Sequence, residues 1–210
     1  MKRMISLLLA LGLALALAAC DKVPSEAKPD GGSTPPPATQ PAGDDGSSSA
    51  PDVVLPDSDG FADGFMGDTM RTCFFDFTVN SAYTCAEYEG YVPSEGNTLL
   101  VADVTFYNYT TYSVPMYDTD LQAQWDGDAE EDFALPVTYA RQEIYPNTGV
   151  EPMGDMFPVE FDLGIAQSKQ GLLVYEVPAG KADYSLSYQE LFDDDTTGDT
   201  FFVYFTPEAR

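Results

Sequence analysis

Across the C-terminal two thirds of the chain, apolar and polar residues trade places every second position in short runs. Phe75, Phe77 and Val79 alternate with Phe74, Asp76 and Thr78; Leu100, Ala102, Val104 and Phe106 alternate with Asp103, Thr105 and Tyr107. Leu121, Ala123 and Trp125 are separated by Gln122 and Gln124 in the same way, and residues 133–138, 171–177, 184–191 and 200–206 supply further candidates. A period of two places one set of side chains on each face of a strand. Gly, Pro, Asn and Asp interrupt the runs, and no window carries a helical stripe. The pattern predicts seven or eight short antiparallel strands in an all-β domain over 68–210. A sandwich of two sheets is preferred to a small barrel.

The N-terminus follows a different rule. Lys2 and Arg3 precede an apolar run over 4–19 that ends at Cys20. A positive start, an apolar centre and small residues before a cut describe a secretory leader over 1–19. The run is shorter than the roughly 18 to 20 residues of a spanning helix, and polar sequence follows it. The stretch LAAC, Leu17 to Cys20, resembles the lipobox of bacterial lipoproteins, and that likeness implies lipidation of Cys20. Two or more acyl chains anchor durably, at about 0.8 kcal/mol per buried methylene. Asp21 resembles an inner-membrane retention signal of two-membrane envelopes.

Residues 20–67 are dominated up to Gly60 by Pro, Ser, Gly, Ala and Asp. All 13 Phe, 13 Tyr and the single Trp lie from Phe61 onward. A segment without aromatic residues cannot bury enough surface to offset its ordering entropy, so it is expected to be a disordered tether. Some forty residues of flexible coil reach about 35 Å.

At GNTLLVADVTFYN, QSKQGLLVYEVPAGKADYSLSY and DDDTTGDTFFVYFTP the chain resembles a family of bacterial lipoproteins with an immunoglobulin-like (telokin-like) domain, largely of unknown function. The resemblance spans roughly residues 68–207 and is strongest at GLLVYEVP, a strand opened by a polar turn and ended by Pro. It implies an immunoglobulin-like sandwich displayed outside the cytoplasm, and it carries no catalytic residues with it.

Three cysteines leave Cys73 and Cys85 once Cys20 is assigned to the anchor. In an exported domain an even pair points to a disulfide, and Asn80-Ser81 between them reads as the turn of a hairpin that would bring them face to face. Such a bridge stabilises by about 3 kcal/mol. Two reduced, buried cysteines are the alternative. The chain has no His, which removes Ser-His and Cys-His nucleophiles and typical zinc sites. Carboxylates remain, and a carboxylate pair acting on envelope glycans is the enzymatic alternative; no enzyme and no required cofactor is the preferred expectation.

The formal net charge is −26, more negative still without Lys2 and Arg3. Such a surface repels nucleic acid and anionic headgroups. It suits solubility and blunted strand edges. Two oxygen-rich loops raise weak calcium binding: residues 126–132 and the run holding Asp193, Asp195 and Asp199, where Gly198 is expected to let the chain turn back. Neither fits an EF-hand. Tyr107, Tyr109, Tyr112 and Tyr117 form a second candidate, an aromatic contact surface at a strand end and its loop. Asn108-Tyr109-Thr110 fits the N-x-T acceptor pattern, a coincidence behind a bacterial lipobox. The reading that results is a lipid-anchored, non-catalytic binding module of the cell envelope, with an envelope protein or glycan as partner. A structural acidic surface lipoprotein is the alternative.

Overall fold

The computed structural model describes residues 53–125, 133–139 and 149–210. The leader, Cys20, most of the linker and the acidic loop 126–132 lie outside the described residues. No α-helix occurs among the described residues, and no helix there is long and apolar enough to cross a membrane.

The strands are β1 (Val53–Val54), β2 (Phe61–Phe65), β3 (Thr69–Arg71), β4 (Asp76–Cys85), β5 (Asn97–Tyr107), β6 (Val114–Tyr117), β7 (Gln122–Trp125), β8 (Phe133–Ala134), β9 (Glu160–Leu163), β10 (Ser168–Pro178), β11 (Tyr184–Leu191), β12 (Thr197–Phe205) and β13 (Glu208–Ala209). A first sheet runs β1-β3-β4-β5-β10, with β13 also on β4; a second runs β2-β12-β11-β7-β8; β6 and β9 form a two-stranded flap. The long pairs β4/β5, β5/β10 and β11/β12 are antiparallel. Three short strands, β1, β2 and β13, pair in parallel.

The two sheets close on one core, so the domain is a β-sandwich. Phe77, Val79, Leu100, Ala102, Val104, Phe106, Leu173, Tyr175 and Val177 face Leu121, Ala123, Leu186, Tyr188, Phe201 and Val203 across it. The alternation read from β4 and β5 matches this inward face. Phe75 anchors an aromatic cluster, 4.9 Å from Tyr188 and 5.5 Å from Phe106 between ring centroids, a spacing typical of tilted and edge-to-face pairs.

The sandwich starts before residue 68. Phe61–Phe65 was expected to be linker, yet it pairs with β12 from Phe61↔Thr200 to Phe65↔Tyr204. Its sequence carries no apolar-polar alternation, since Phe61, Asp63 and Phe65 share the exposed side and Ala62 and Gly64 the buried one; the pairing with β12 is what makes it a strand.

The expected turn at Asn80-Ser81 is absent. β4 runs through both residues, and the register with β5 shifts between Val79 and Ser81. The extra residue of this bulge is Asn80, whose Nδ2 donates to Asp103 Oδ1 at 3.0 Å and Thr105 Oγ1 at 2.9 Å on β5. A side chain satisfied across the ladder makes a bulge where the sequence suggested a reversal.

Candidate functional site

The chemistry expected from the sequence is dispersed by the fold. Cys85 closes β4 and Cys73 precedes it, and both are free thiols. Nine residues of strand separate the start of β4 from Cys85, about 30 Å at 3.3 Å per residue. A disulfide needs Cα atoms within about 7 Å, so the Cys73–Cys85 bridge is ruled out by the continuous strand. Cys73 instead donates its backbone N–H to Glu190 Oε1 at 2.7 Å. Partial burial, followed by the neighbouring Glu190 carboxylate, pushes its thiol up to about 12.

The acidic run is a tight hairpin loop. Asp195 N–H donates to Phe192 C=O at 2.9 Å and Phe192 N–H to Thr196 C=O at 2.9 Å. Asp195 itself has φ of 62°, so it takes the left-handed position that was expected of Gly198. Asp194 Oδ1 accepts from Thr196 Oγ1 at 2.6 Å. Asp199 lies in β12, and its N–H donates to Glu190 Oε2 at 3.1 Å. Among the described residues no group of three or more acidic, Cys or His side chains gathers as metal ligands; Asp193, Asp195 and Asp199 therefore make no preformed calcium cage. Gly198 has another use: a Cβ there would meet Glu190 Cβ and the Phe192 ring at 2.9 Å. Its missing side chain lets buried Glu190 reach both amides.

The four tyrosines do not form one surface. Tyr109 is a structural clamp, its hydroxyl donating to Thr72 C=O and its ring 5.0 Å from the Arg71 guanidinium. Arg71 in turn grips Asp76 through Nε at 2.9 Å and a terminal nitrogen at 2.8 Å. Tyr107 ends β5 near this pair. Tyr112 sits on the loop that Asn108 holds by donating Nδ2 to the Tyr112 C=O at 2.7 Å, and Tyr117 stands on the flap opposite Glu160. No ring contact joins any of the four among the described residues.

The residues that do converge were not singled out from the sequence. Phe201, Val203 and Phe205 of β12 point into the core, which turns Phe202 and Tyr204 to the outer face of the second sheet. Register then extends two polar and aromatic rows across four strands. One is Asp63, Phe202, Ser187 and Gln122; the other is Phe65, Tyr204, Ser185 and Gln124. The Phe202 and Tyr204 rings are 6.0 Å apart and 17° from parallel. Phe65 is 69% exposed and Tyr204 40%. Burial against the sheet, and then the Asp63 carboxylate that hydrogen-bonds it, hold the Tyr204 phenol above its ordinary value.

The second row ends in a groove of about 830 Å³. Trp125, Phe65 and Tyr204 supply its aromatic lining, with Gln124, Lys181 and Asp183 at its polar rim. Asp183 Oδ1 accepts from Thr206 Oγ1 at 2.8 Å, which fixes that rim. The volume falls within the roughly 300–1,000 Å³ of small-molecule sites, where apolar walls and a few polar groups act together. The outward alternation Phe202-Val203-Tyr204 and the single Trp were visible in the sequence. Their convergence with Phe65 depended on the unforeseen parallel pairing of β2.

No protein-family model matches the chain, and no curated protein does. Among solved structures it is similar to a candidate lipoprotein from Bacillus subtilis, ycdA, with TM-score 0.45 and 13% identity over 64% of this chain and 37% of that one. It is also similar to the yjhA protein of Bacillus subtilis, with TM-score 0.44 and 17% identity over 69% of this chain and 99% of that one. A β-sandwich protein from Clostridium difficile gives TM-score 0.37 and 11% identity over 69% and 93% of the two chains. The chain thus spans just over a third of the length of ycdA. Likeness at this level says nothing of what the chain binds.

Proposed function

We propose that this chain is a lipid-anchored, non-catalytic binding module facing outward from the cell membrane, and that the outer face of the second sheet is its binding face. The observation that carries the reading is the exposed pair Phe65 and Tyr204, with half-buried Phe202 of the next row stacked on Tyr204, leading into the groove that Trp125 lines. Exposed rings side by side on a rigid sheet mark an interaction site more often than scattered single apolar residues do. The leader and LAAC motif supply the anchor at Cys20, and the aromatic-free linker supplies the reach. The immunoglobulin-like (telokin-like) assignment belongs to this proposal and draws its support from the sequence motifs of β5, β10 and β12.

The buried carboxyls support a structural use of acidity. Asp118 is buried beneath the flap and accepts from Thr138 Oγ1, and Glu190 braces two backbone amides. Neither side chain opens onto the groove. The test has two arms: labelled fatty acid entering the wild type but not Cys20→Ala, and retention of the full mature chain on isolated envelope material. Label in Cys20→Ala contradicts the anchor; loss of all retention contradicts the binding role.

A further inference from the structure

We propose that the outer face of the second sheet, from Phe65 and Tyr204 into the Trp125 groove, binds a neutral polysaccharide. This rests on reading the chain as a binding module and names the chemistry of its ligand.

A pyranose ring has C–H faces that are apolar and a rim of hydroxyls that both donate and accept. A site for it needs flat ring surfaces with uncharged hydrogen-bonding groups beside them. The second sheet supplies this in register. Tyr204 lies opposite Phe65 on one side; on the other, beyond buried Ser185, half-buried Gln124 supplies an uncharged amide in the same row. Phe202, nearly parallel to Tyr204, continues the ring surface along the strand, with Gln122 at the end of its row. The groove at the end adds depth, and Trp125, which packs against the core from the same side of β7 as Ala123, lines its far end.

Charge selects among ligands. With a net charge of −26 the chain repels polyanions at distance. The groove departs from that bias: its charged lining is one cation, Lys181, and one anion, Asp183, with Gln124 beside them, while the Asp63 carboxylate of the neighbouring row is engaged by the Tyr204 hydroxyl. A groove built to hold a cationic peptide would extend the acidic surface inward. Local balance with amide and hydroxyl groups suits an uncharged, hydroxyl-rich chain. The first sheet sharpens the point, because its outer face is covered by the protein itself through Tyr88, Tyr91, Met153 and Met156. Among the described residues no segment covers Phe65 or Tyr204.

Trp125 is the single tryptophan, so its fluorescence reports on the end of the groove and on the core edge it packs against. The full mature chain is titrated with soluble hexamers of N-acetylglucosamine and of a neutral glucan. The expected result is a saturable change with at least one of them, unaltered between about 20 and 500 mM salt because no charges are paired. Tyr204→Ala and, independently, Phe65→Ala should each weaken binding roughly tenfold or more, while Tyr112→Ala should not change it. Near-ultraviolet circular dichroism confirms that each variant is folded, and the high exposure of Phe65 keeps that variant informative if Tyr204→Ala unfolds. No saturable change with either sugar, or equal affinity in both variants, overturns the proposal. A self-associated chain that dissociates in Tyr204→Ala would overturn it in favour of a second copy. If envelope retention depends on Tyr204 while both hexamers fail, the sugar assignment falls and the binding face stands; if retention fails too, both fall.

Discussion

The first sheet of the sandwich is roofed on its outer side by the chain's own loops, whereas among the described residues no loop roofs Phe65 and Tyr204 on the second. Leu99, Val101 and Val174 point away from the main core, yet they are at most 1% exposed, because Tyr88, Tyr91, Met153 and Met156 pack over them. The roof is tied down by Glu176 on β10, which accepts from Tyr91 Oη at 2.9 Å, Asn97 Nδ2 at 2.7 Å and Ser94 N at 3.0 Å. On the second sheet the corresponding outward residues are Phe65, Phe202 and Tyr204, with no such cover among the described residues. The same amino-acid types thus stabilise the fold on one face and are available to a partner on the other. Exposure and hydrogen-bonded loops distinguish the two cases, and composition does not.

The largest expected effect lies on the roofed face. Leu99→Ala should cost about 2–4 kcal/mol in urea unfolding, as for other large-to-small changes at fully buried sites, while Phe65→Ala should stay within about 0.5 kcal/mol. Equal costs would erase the distinction between the faces.

The turn between β6 and β7 carries its own pH signature. Burial, reinforced by the charge of Asp118 and opposed by the Tyr117 amide, raises the Asp120 carboxyl to about 6. A raised carboxyl binds its proton more tightly in the folded state, so the Asp120 contribution to stability is fully present below its ordinary 3.8 and is lost as pH rises through about 6. Asp120→Asn should remove most of that slope and gain about 1–2 kcal/mol at pH 7. An unchanged slope in the variant would place the titration elsewhere.

Glu176 runs the other way. Burial opposes its charge, but the Ser94, Asn97 and Tyr91 donors prevail and hold it below its ordinary 4.5. Its contribution is present above that value and lost as pH falls through the lowered one. Glu176→Gln should cost about 1 kcal/mol at neutral pH and speed amide exchange in the loop before β5, leaving β12 unaffected. Faster exchange in β12 as well would mean that the roof and the open face are coupled.

The smallest effect concerns the thiols. Cys73→Ser/Cys85→Ser should leave the unfolding midpoint of exported protein where it is, within about 0.5 kcal/mol, and mass mapping without reductant should find both thiols free. A linked pair would contradict the continuous β4.

The sandwich was legible because β5, β10, β11 and β12 are long, rich in β-branched and aromatic residues, and bounded by Gly, Pro and Asp. β11 appears with the boundaries its sequence suggests, Tyr184–Leu191. Alternation could not show that Leu99 and Val101 are buried on the outer side, since that depends on loops distant in sequence. Nor could it place β2, whose partner β12 lies some 135 residues away. The turn at Asn80-Ser81 failed for a local reason: Asn favours turns and bulges alike, and Asp103 and Thr105 on the neighbouring strand decide between them. Exposed Tyr107, Tyr109, Tyr112 and Tyr117 attracted attention by clustering in sequence, while the rings that cluster in space come from three strands.

The most direct measurement of the account is oxidative footprinting of the full chain in its native envelope against the same chain purified in detergent. Phe65 and Tyr204 should be protected in the envelope, with Tyr112 and Tyr107 modified equally in both states. Equal modification of Tyr204 in the two states, or protection confined to Tyr112 and Tyr107, would contradict the claim that the open face of the second sheet is where this protein binds.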